Sequence, residues 1–274
     1  MYFVGETRFS LFEPTSGSWR LSKTAGRVDV EDYKAKLYAE DRMESRCAIF
    51  FNHTLPTLDV ARGNNELIHV ISYSEELPPK YQDRLQEEAF KYSWVQLDKR
   101  TKGDRRGTSV VDLVKGNLAP GTIYGNYRLD DDDVLASNYF DQVGAYLDER
   151  HVGMIVSLGY GVLALYRDGR FTYPKGEHRP KVAAGYCKIC LFDGSGNFYT
   201  PTNISHTRAD RENPVILDSR EVSFLRSLHV NQDMAVANPK FDFQARLRQF
   251  ERMPDLTEDV DLAKIFPTVN FMIQ

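Results

Sequence analysis

The chain has 274 residues, 42% hydrophobic and 27% charged, with a net charge of -4 and a pI near 5.9. That is enough apolar sequence for a sizeable core, which excludes a disordered chain. The acidic balance, with no basic face, excludes a protein built to grip duplex nucleic acid.

Tyr2 to Phe12 reads as a first strand running into a Ser-, Thr- and Gly-rich loop from Pro14 to Asp29. Val30 to Leu58 is helical, with Leu37, Met43, Cys47, Phe50 and Phe51 on one apolar face, and Pro56 is expected to open a new turn. Glu66 to Tyr73 predicts a buried strand. Pro78 and Pro79 then start a polar helix from Lys80 to Tyr92. Trp94 to Leu97 is a strand and Asp98 to Ser109 a charged loop. Within that loop, Lys99 to Arg106 is either a lid over a diphosphate or a solvated turn. Ile123 to Leu129 is a strand and Asn138 to Arg150 a helix.

After residue 151 the pattern changes. Met154 to Tyr166, Arg170 to Tyr173 and Gly185 to Phe192 are strands, with tight turns at Asp168-Gly169 and Asp193-Gly194. Arg220 to Leu228 is expected to be a helix, followed by a polar tail. The fold class is therefore α/β: a mostly parallel sheet flanked by helices, with a more antiparallel second half. Residues 1–274 are read as one domain with two halves, 1–135 and 136–274.

Three cysteines, Cys47, Cys187 and Cys190, do not make a disulfide framework. Cys187 and Cys190 form a CxxC, but on an alternating strand they point to opposite faces and cannot share a metal, so they read as buried thiols. No stretch reads as a signal peptide, so none is expected. The most apolar run, Val152 to Tyr166, is shorter than the ~20 residues of a membrane span and carries Gly153, Gly159 and Gly161. No transmembrane segment is expected. The expected location is the cytoplasm, with room for peripheral contact at the inner face of the membrane.

The most informative stretch is Arg128-Leu129-Asp130-Asp131-Asp132-Asp133. Four adjacent carboxylates repel one another unless a cation or donors offset them. The run sits at the carboxyl end of a strand, where open α/β sheets bind ligands. In an extended chain Asp130 and Asp132 fall on one side, and such oxygen donors suit Mg2+ or Mn2+. That ion can bridge two phosphates and stabilise a departing diphosphate. The competing readings are a solvated acidic turn that caps the next helix and a calcium loop. The calcium loop lacks the required spacing and the distant Glu.

Several segments together resemble the bacterial family called putative rhamnosyl transferases. They are Thr7-Arg8-Phe9-Ser10, Arg42 to Leu58 (RMESRCAIFFNHTLPTL), Ile71 to Leu85 (ISYSEELPPKYQDRL), Arg128 to Asp133, and Phe224 to Asn231 (FLRSLHVN). The resemblance spans roughly residues 2 to 235 and extends to nucleotide-sugar transferases of the GT-A fold, whose signature is D-x-D. It implies a GT-A-like fold, a nucleoside-diphosphate sugar donor, a glycan or lipid-linked glycan acceptor, and Mn2+ or Mg2+ as cofactor. It implies a transferase of hexosyl or rhamnosyl type in bacterial envelope or capsule polysaccharide synthesis. Residues 1–135 would be the nucleotide-sugar half and 136–274 the acceptor half and tail. Carried onto this chain, it assigns Asp130, Asp132 and His229 to the metal. Arg8 lies near the nucleotide, and Arg128 faces the diphosphate or braces the run. Asp130, Asp131 and Asp133 are expected to contact substrate.

Other candidates rest on the residues alone. His206, in a polar loop, contacts acceptor or phosphate, or is a surface or capping histidine. An inverting transferase needs a base, for which Asp218 and Glu221 are the expected residues, with Asp193 and Asp210 in competition. A helix N-cap at Asp218 is the structural alternative. Trp94 belongs to the core, and Trp19 stands open for stacking on a sugar. The runner-up function is a non-catalytic carbohydrate- or calcium-binding module, which would show no nucleotide affinity. A nucleotidyltransferase ranks lower, because no Gly-rich phosphate loop follows the first strand.

Overall fold

The computed structural model describes residues 1–13, 30–101, 110–193, 195–230 and 242–272. Trp19, Gly194, Asn231 and most of the basic loop to Arg106 lie outside the described residues. The first half is β1 (Tyr2–Arg8), α1 (Val30–Leu37), α2 (Glu40–Ile49), α3 (Leu55–Arg62), β2 (Glu66–Ser74), α4 (Pro79–Phe90), β3 (Val95–Arg100), α5 (Val110–Asn117) and β4 (Thr122–Arg128). β1, β2, β3 and β4 pair in parallel in the order β4-β1-β2-β3. This is the parallel sheet that the strand–helix alternation predicts.

The second half is β5 (Asp133–Leu135), α6 (Tyr139–Gly144), β6 (Ile155–Leu158), β7 (Tyr160–Arg167), β8 (Arg170–His178), β9 (Tyr186–Phe192), β10 (Phe198–Tyr199), β11 (Val215–Asp218), β12 (Phe224–Leu228), α7 (Phe243–Glu251), α8 (Leu262–Ile265) and β13 (Phe271–Met272). β9 runs antiparallel between β4 and β6, and β11 closes that edge, so the main sheet reads β11-β6-β9-β4-β1-β2-β3. A second sheet has the order β13-β8-β7-β12-β5. The acidic run is thus the crossing where the chain leaves the main sheet at β4 and enters the second at β5. Among the described residues no helix is long and apolar enough to cross a membrane.

The structure refines or corrects several local expectations. Pro56 does not break the helical path. The five residues before α3, Phe50–Thr54, form a π-helical turn, so the chain passes from α2 into α3 with Pro56 in the first turn. The helix expected from Asn138 ends at Gly144, and Asp148 caps a separate 3-10 turn by accepting from Arg150 N. Met154 to Tyr166 is two strands in two sheets. The switch falls at Gly159, where a Cβ would meet Ser219 Oγ at 2.5 Å. Arg220 to Leu228 is no helix: Phe224–Leu228 is β12, parallel to β7 and antiparallel to β5. Phe224 packs into one core and Leu225 into another. A strand buried on both faces loses its alternation and mimics a helix segment. The polar tail likewise folds, with α7 laid on Leu163 and Leu228.

Cys187 and Cys190 do point to opposite faces of β9, one into each of two core clusters. Burial pushes the Cys47 and Cys190 thiols up to about 12, so all three behave as buried apolar groups.

A buried polar chain runs through the main core to the acidic run. Thr7 Oγ1 donates to Leu129 O at 2.9 Å, so it accepts from His69 Nε2 at 3.0 Å, and His69 Nδ1 accepts from Tyr127 Oη at 2.7 Å. Gly5 makes this possible, because a Cβ there would collide with the His69 and Tyr127 rings. Burial lowers the His69 imidazole to about 3, against about 6.5 in an unfolded chain. Between those pH values the unfolded chain takes a proton that the fold refuses. Stability is therefore complete above the unfolded value and is lost as pH falls, by about 1.4 kcal/mol per pH unit. Urea unfolding across this window should show that slope, and His69→Gln should flatten it. An unchanged slope in the variant would refute the assignment.

Candidate active site

The acidic run is a turn, not an extended segment. Asp133 N donates to Asp130 O at 3.3 Å. The four carboxylates therefore point to four different surroundings, and the expected side-by-side placing of Asp130 and Asp132 is corrected. Asp130 stays near the surface and accepts from Arg128 Nη2 at 2.7 Å and Nε at 3.2 Å. Arg128 thus braces the run, one of its two expected roles.

Asp131, expected to contact substrate, is instead an anchor at 2% exposure. Ser10 donates to its Oδ2 from N at 2.8 Å and from Oγ at 3.2 Å, and Arg46 pairs with Oδ1. Ser10 takes a left-handed φ of 42°, which turns its amide toward the carboxylate. Arg42 Nη1 donates to Ser10 Oγ at 3.0 Å and to Leu37 O at 2.7 Å. The loop after β1, helix α2 and the acidic run are thus tied at one buried point.

Asp132 shares Arg46: its Oδ2 lies 3.0 Å from Nη2. Its carbonyl accepts from Ser227 Oγ at 2.9 Å, which fixes the run to β12. Burial alone would raise the Asp132 carboxyl. Arg46 and His229 outweigh it and hold the group well below the usual carboxylate range. Asp133 is also buried rather than offered to solvent. Burial and the neighbouring Asp132 push its carboxyl well up, against the pull of Arg226, whose Nε is 4.0 Å away. Thr54 Oγ1, in the π-helical turn, holds the Asp133 carbonyl at 2.9 Å.

His229 directly follows β12 and is 3% exposed. Its Nε2 lies 3.5 Å from Asp132 Oδ2, too far for a well-made hydrogen bond. Neither ring nitrogen has a hydrogen-bond partner among the described residues. A buried imidazole left unpaired beside an ionised carboxylate fits a site for a divalent cation. Two protein donors leave most of an octahedral shell to water and ligand oxygens, the usual habit of hard divalent ions. Among the described residues no three His, Cys, Asp or Glu side chains converge. Asp130, committed to Arg128, does not join the pair.

The remaining candidates scatter. Arg8 stands at the carboxyl end of β1, 3.5 Å from Glu6 Oε1 and 3.9 Å from Glu13 Oε2. His206, in the 3-10 turn His206–Arg211, donates from Nδ1 to Lys181 O at 2.6 Å. Burial lowers its pKa, and the charges of Arg128 and Asp130 both reach it.

The expected bases are elsewhere. Asp218 ends the edge strand β11, three strands across from β4, about 14 Å at ~4.8 Å per strand. It accepts from Arg220 Nη2 and Tyr146 Oη, both at 2.7 Å. The Arg220 hydrogen bond foremost holds it well below the usual carboxylate range, so it accepts protons poorly. Glu221 accepts from Asn138 Nδ2 at 3.0 Å at the opposite end of β12 from His229. Asp193 caps its own turn through Ser195 and Asn197, and Asp210 pairs with Lys181 at 2.6 Å. Trp94 is core, with Nε1 on Asp59 Oδ1 at 2.9 Å.

Arg42 and Arg46 are the residues that motif reading passed over. They are 2% exposed, four apart on the apolar face of α2 beside Met43 and Cys47. Charged residues at core-facing helix positions are a readable signal, since such charges are buried only when paired.

A family described as putative rhamnosyl transferase has a model that matches residues 2–240. No curated protein matches the chain at a significant level. Among solved structures, Staphylococcus aureus TarS 1-349 is 9% identical, with 90% of this chain and 68% of that chain covered and a TM-score of 0.38. A putative glucose-1-phosphate thymidylyltransferase from Bacillus anthracis, solved in complex with sucrose, is 8% identical, with coverage of 89% and 98% and a TM-score of 0.37. These likenesses are too loose to carry an argument, and the fold rests on the strand order itself.

Proposed function

The chain belongs to the family described as putative rhamnosyl transferase and is a glycosyltransferase, and from that premise we propose that it is metal-dependent and draws its sugar from a nucleoside diphosphate. The observation that supports this reading is the Asp132–His229 pair: one ionised carboxylate and one unpaired buried imidazole, at the carboxyl end of a parallel strand. A Mn2+ or Mg2+ held there would offset the charge of a departing diphosphate. The chain's own residues do the positioning. Arg46 orients Asp132, Ser227 fixes its backbone, and Asp131 holds the Ser10 turn of the β1 loop against the run. Arg8, Arg128 and His206 are the polar groups that flank this end of the sheet, where substrate is proposed to lie. Asp131 and Asp133 are left out of substrate contact. Residues 1–135 form the nucleotide-sugar half of this proposal and 136–274 the acceptor half.

The sugar is proposed to be a hexose or rhamnose, and the acceptor a glycan or lipid-linked glycan of the bacterial envelope or capsule, reached from the cytoplasm.

Thermal unfolding with a panel of nucleoside diphosphates, with and without Mn2+, tests the reading. A nucleotide at about 100 times its Kd should add roughly 2.7 kcal/mol of stability, and only when Mn2+ is present. A rise with Ca2+ or free glycan, and none with any nucleotide, would instead support a binding module.

A further inference from the structure

Asp218, Glu221, Asp193 and Asp210 are each committed to other partners, and a proton acceptor that remains open is an imidazole. His206 opens the 3-10 turn His206–Arg211 and is half-buried. β9 pairs antiparallel with β4, which sets Tyr186 opposite Arg128. Residues directly opposite on paired strands present their side chains on one face. On that face Arg128 holds Asp130, and Tyr186 meets the His206 ring edge-to-face with centroids 6.5 Å apart. His206 therefore stands beside the carboxyl end of β4, where the acidic run begins. Tyr186 Oη is buried and has no hydrogen-bond partner among the described residues, so a polar group of a ligand would complete it.

One loop residue fixes the ring. Lys181 takes a left-handed φ of 57°, and its amide donates to the buried Ser157 Oγ at 2.9 Å. Such a conformation in a long side chain persists only where its surroundings over-determine it. Lys181 grips the 3-10 turn three times. Its carbonyl accepts from His206 Nδ1 at 2.6 Å, and its Nζ donates to Asp210 Oδ1 at 2.6 Å and to Thr207 O at 3.3 Å. A carbonyl only accepts, so Nδ1 carries the proton and the neutral ring keeps its lone pair on Nε2. Among the described residues no hydrogen bond engages Nε2. Burial disfavours the imidazolium, which keeps that lone pair available at neutral pH.

We propose that His206 Nε2 is the general base that deprotonates the sugar acceptor. This role deepens the nucleoside-diphosphate donor reading above and rests on it. The acceptor hydroxyl gives its proton to Nε2 as its oxygen bonds to the anomeric carbon of the donor sugar. The bond from that carbon to the diphosphate oxygen breaks, and its electron pair leaves with the diphosphate. The imidazolium then passes its proton to water. Attack opposite the leaving group inverts the anomeric centre.

Nitrogen NMR of the histidines in the full chain reads the ring directly. The signal that disappears in His206→Asn should show a protonated Nδ1 and a bare Nε2. A ring protonated at Nε2 instead overturns the proposal. Cleavage of UDP-glucose and dTDP-rhamnose with Mn2+, with water and methyl rhamnoside as acceptors, reads the chemistry. His206→Asn keeps a donor for Lys181 O and loses Nε2. It should lower kcat by about a hundredfold or more while the nucleotide Kd holds. In His206→Ala, added imidazole should restore part of the loss. In the native chain kcat should fall as acid protonates the ring, below the usual histidine range, and that limb should vanish in His206→Asn. Arg128, Asp130, Arg179, Lys181, Asp210 and Tyr186 surround the ring, so the variant assigns the limb. Retention of configuration, native kcat in His206→Asn, or a donor bound by the native chain but not cleaved overturns the base and leaves nucleotide binding standing. If no nucleotide or donor binds, the donor reading fails and takes the base with it.

Discussion

Arg46→Ala is expected to destabilise the protein by about 3–5 kcal/mol, the usual cost of removing one partner from a buried ion pair. Arg46 is 2% exposed and is shared by Asp131 and Asp132. Without it, buried Asp131 and partly buried Asp132 lose their nearest guanidinium while each keeps its place in the turn. The gain from the intact pair is smaller than this loss, because burying all three charges is itself unfavourable. A second variant separates the two effects. Arg46→Met with Asp131→Asn removes a charge from each side, and it should recover part of what Arg46→Ala loses. Urea unfolding measures both. A loss below about 1 kcal/mol in Arg46→Ala would match a surface ion pair and would remove Arg46 from its role as the clamp.

Asp132→Asn is expected to lower transfer by at least about a hundredfold, the scale set by deleting one preorganised electrostatic contact. It should also abolish the Mn2+-linked stabilisation by nucleotide. The overall fold should survive, since Asn can still accept from Arg46 and the Ser227 bond is to the backbone. Asp131→Asn makes the contrast. That carboxylate is enclosed by Ser10 and Arg46, so its loss should appear first in stability and only through it in activity. If the two variants lose activity and stability in the same proportion, Asp132 has no role beyond holding the turn. Kinetics and unfolding on the same preparations decide this.

Part of the candidate site was legible because one motif concentrated its carboxylates. RLDDDD after an apolar strand pointed to the carboxyl end of β4, and FLRSLHVN supplied the histidine that ends beside Asp132. What failed was the assumption of an extended backbone. The hydrogen bond from Asp133 N to Asp130 O folds the run into a turn, so period-two alternation does not apply to it. The expected bases failed for a related reason. Asp218 and Glu221 were placed by their nearness to a helix that is in fact β12, and a strand carries Glu221 away from His229 instead of winding it back.

The sequence by itself determined the parallel first half, the buried thiols of β9 and the acidic run that follows β4. Each is a local pattern: strand and helix in alternation, two cysteines three apart on a strand, four carboxylates in a row. The tertiary structure decided which carboxylate faces what. Asp130 turns to Arg128, Asp131 to Ser10 and Arg46, Asp132 to Arg46 and His229, and Asp133 to Arg226. Those partners lie up to about 120 residues away in the chain, as Ser10 does from Asp131. Four identical side chains carry no local signal of their partners. Only the packing of β1, α2 and β12 around the turn sets a different field at each, and so gives each a different role.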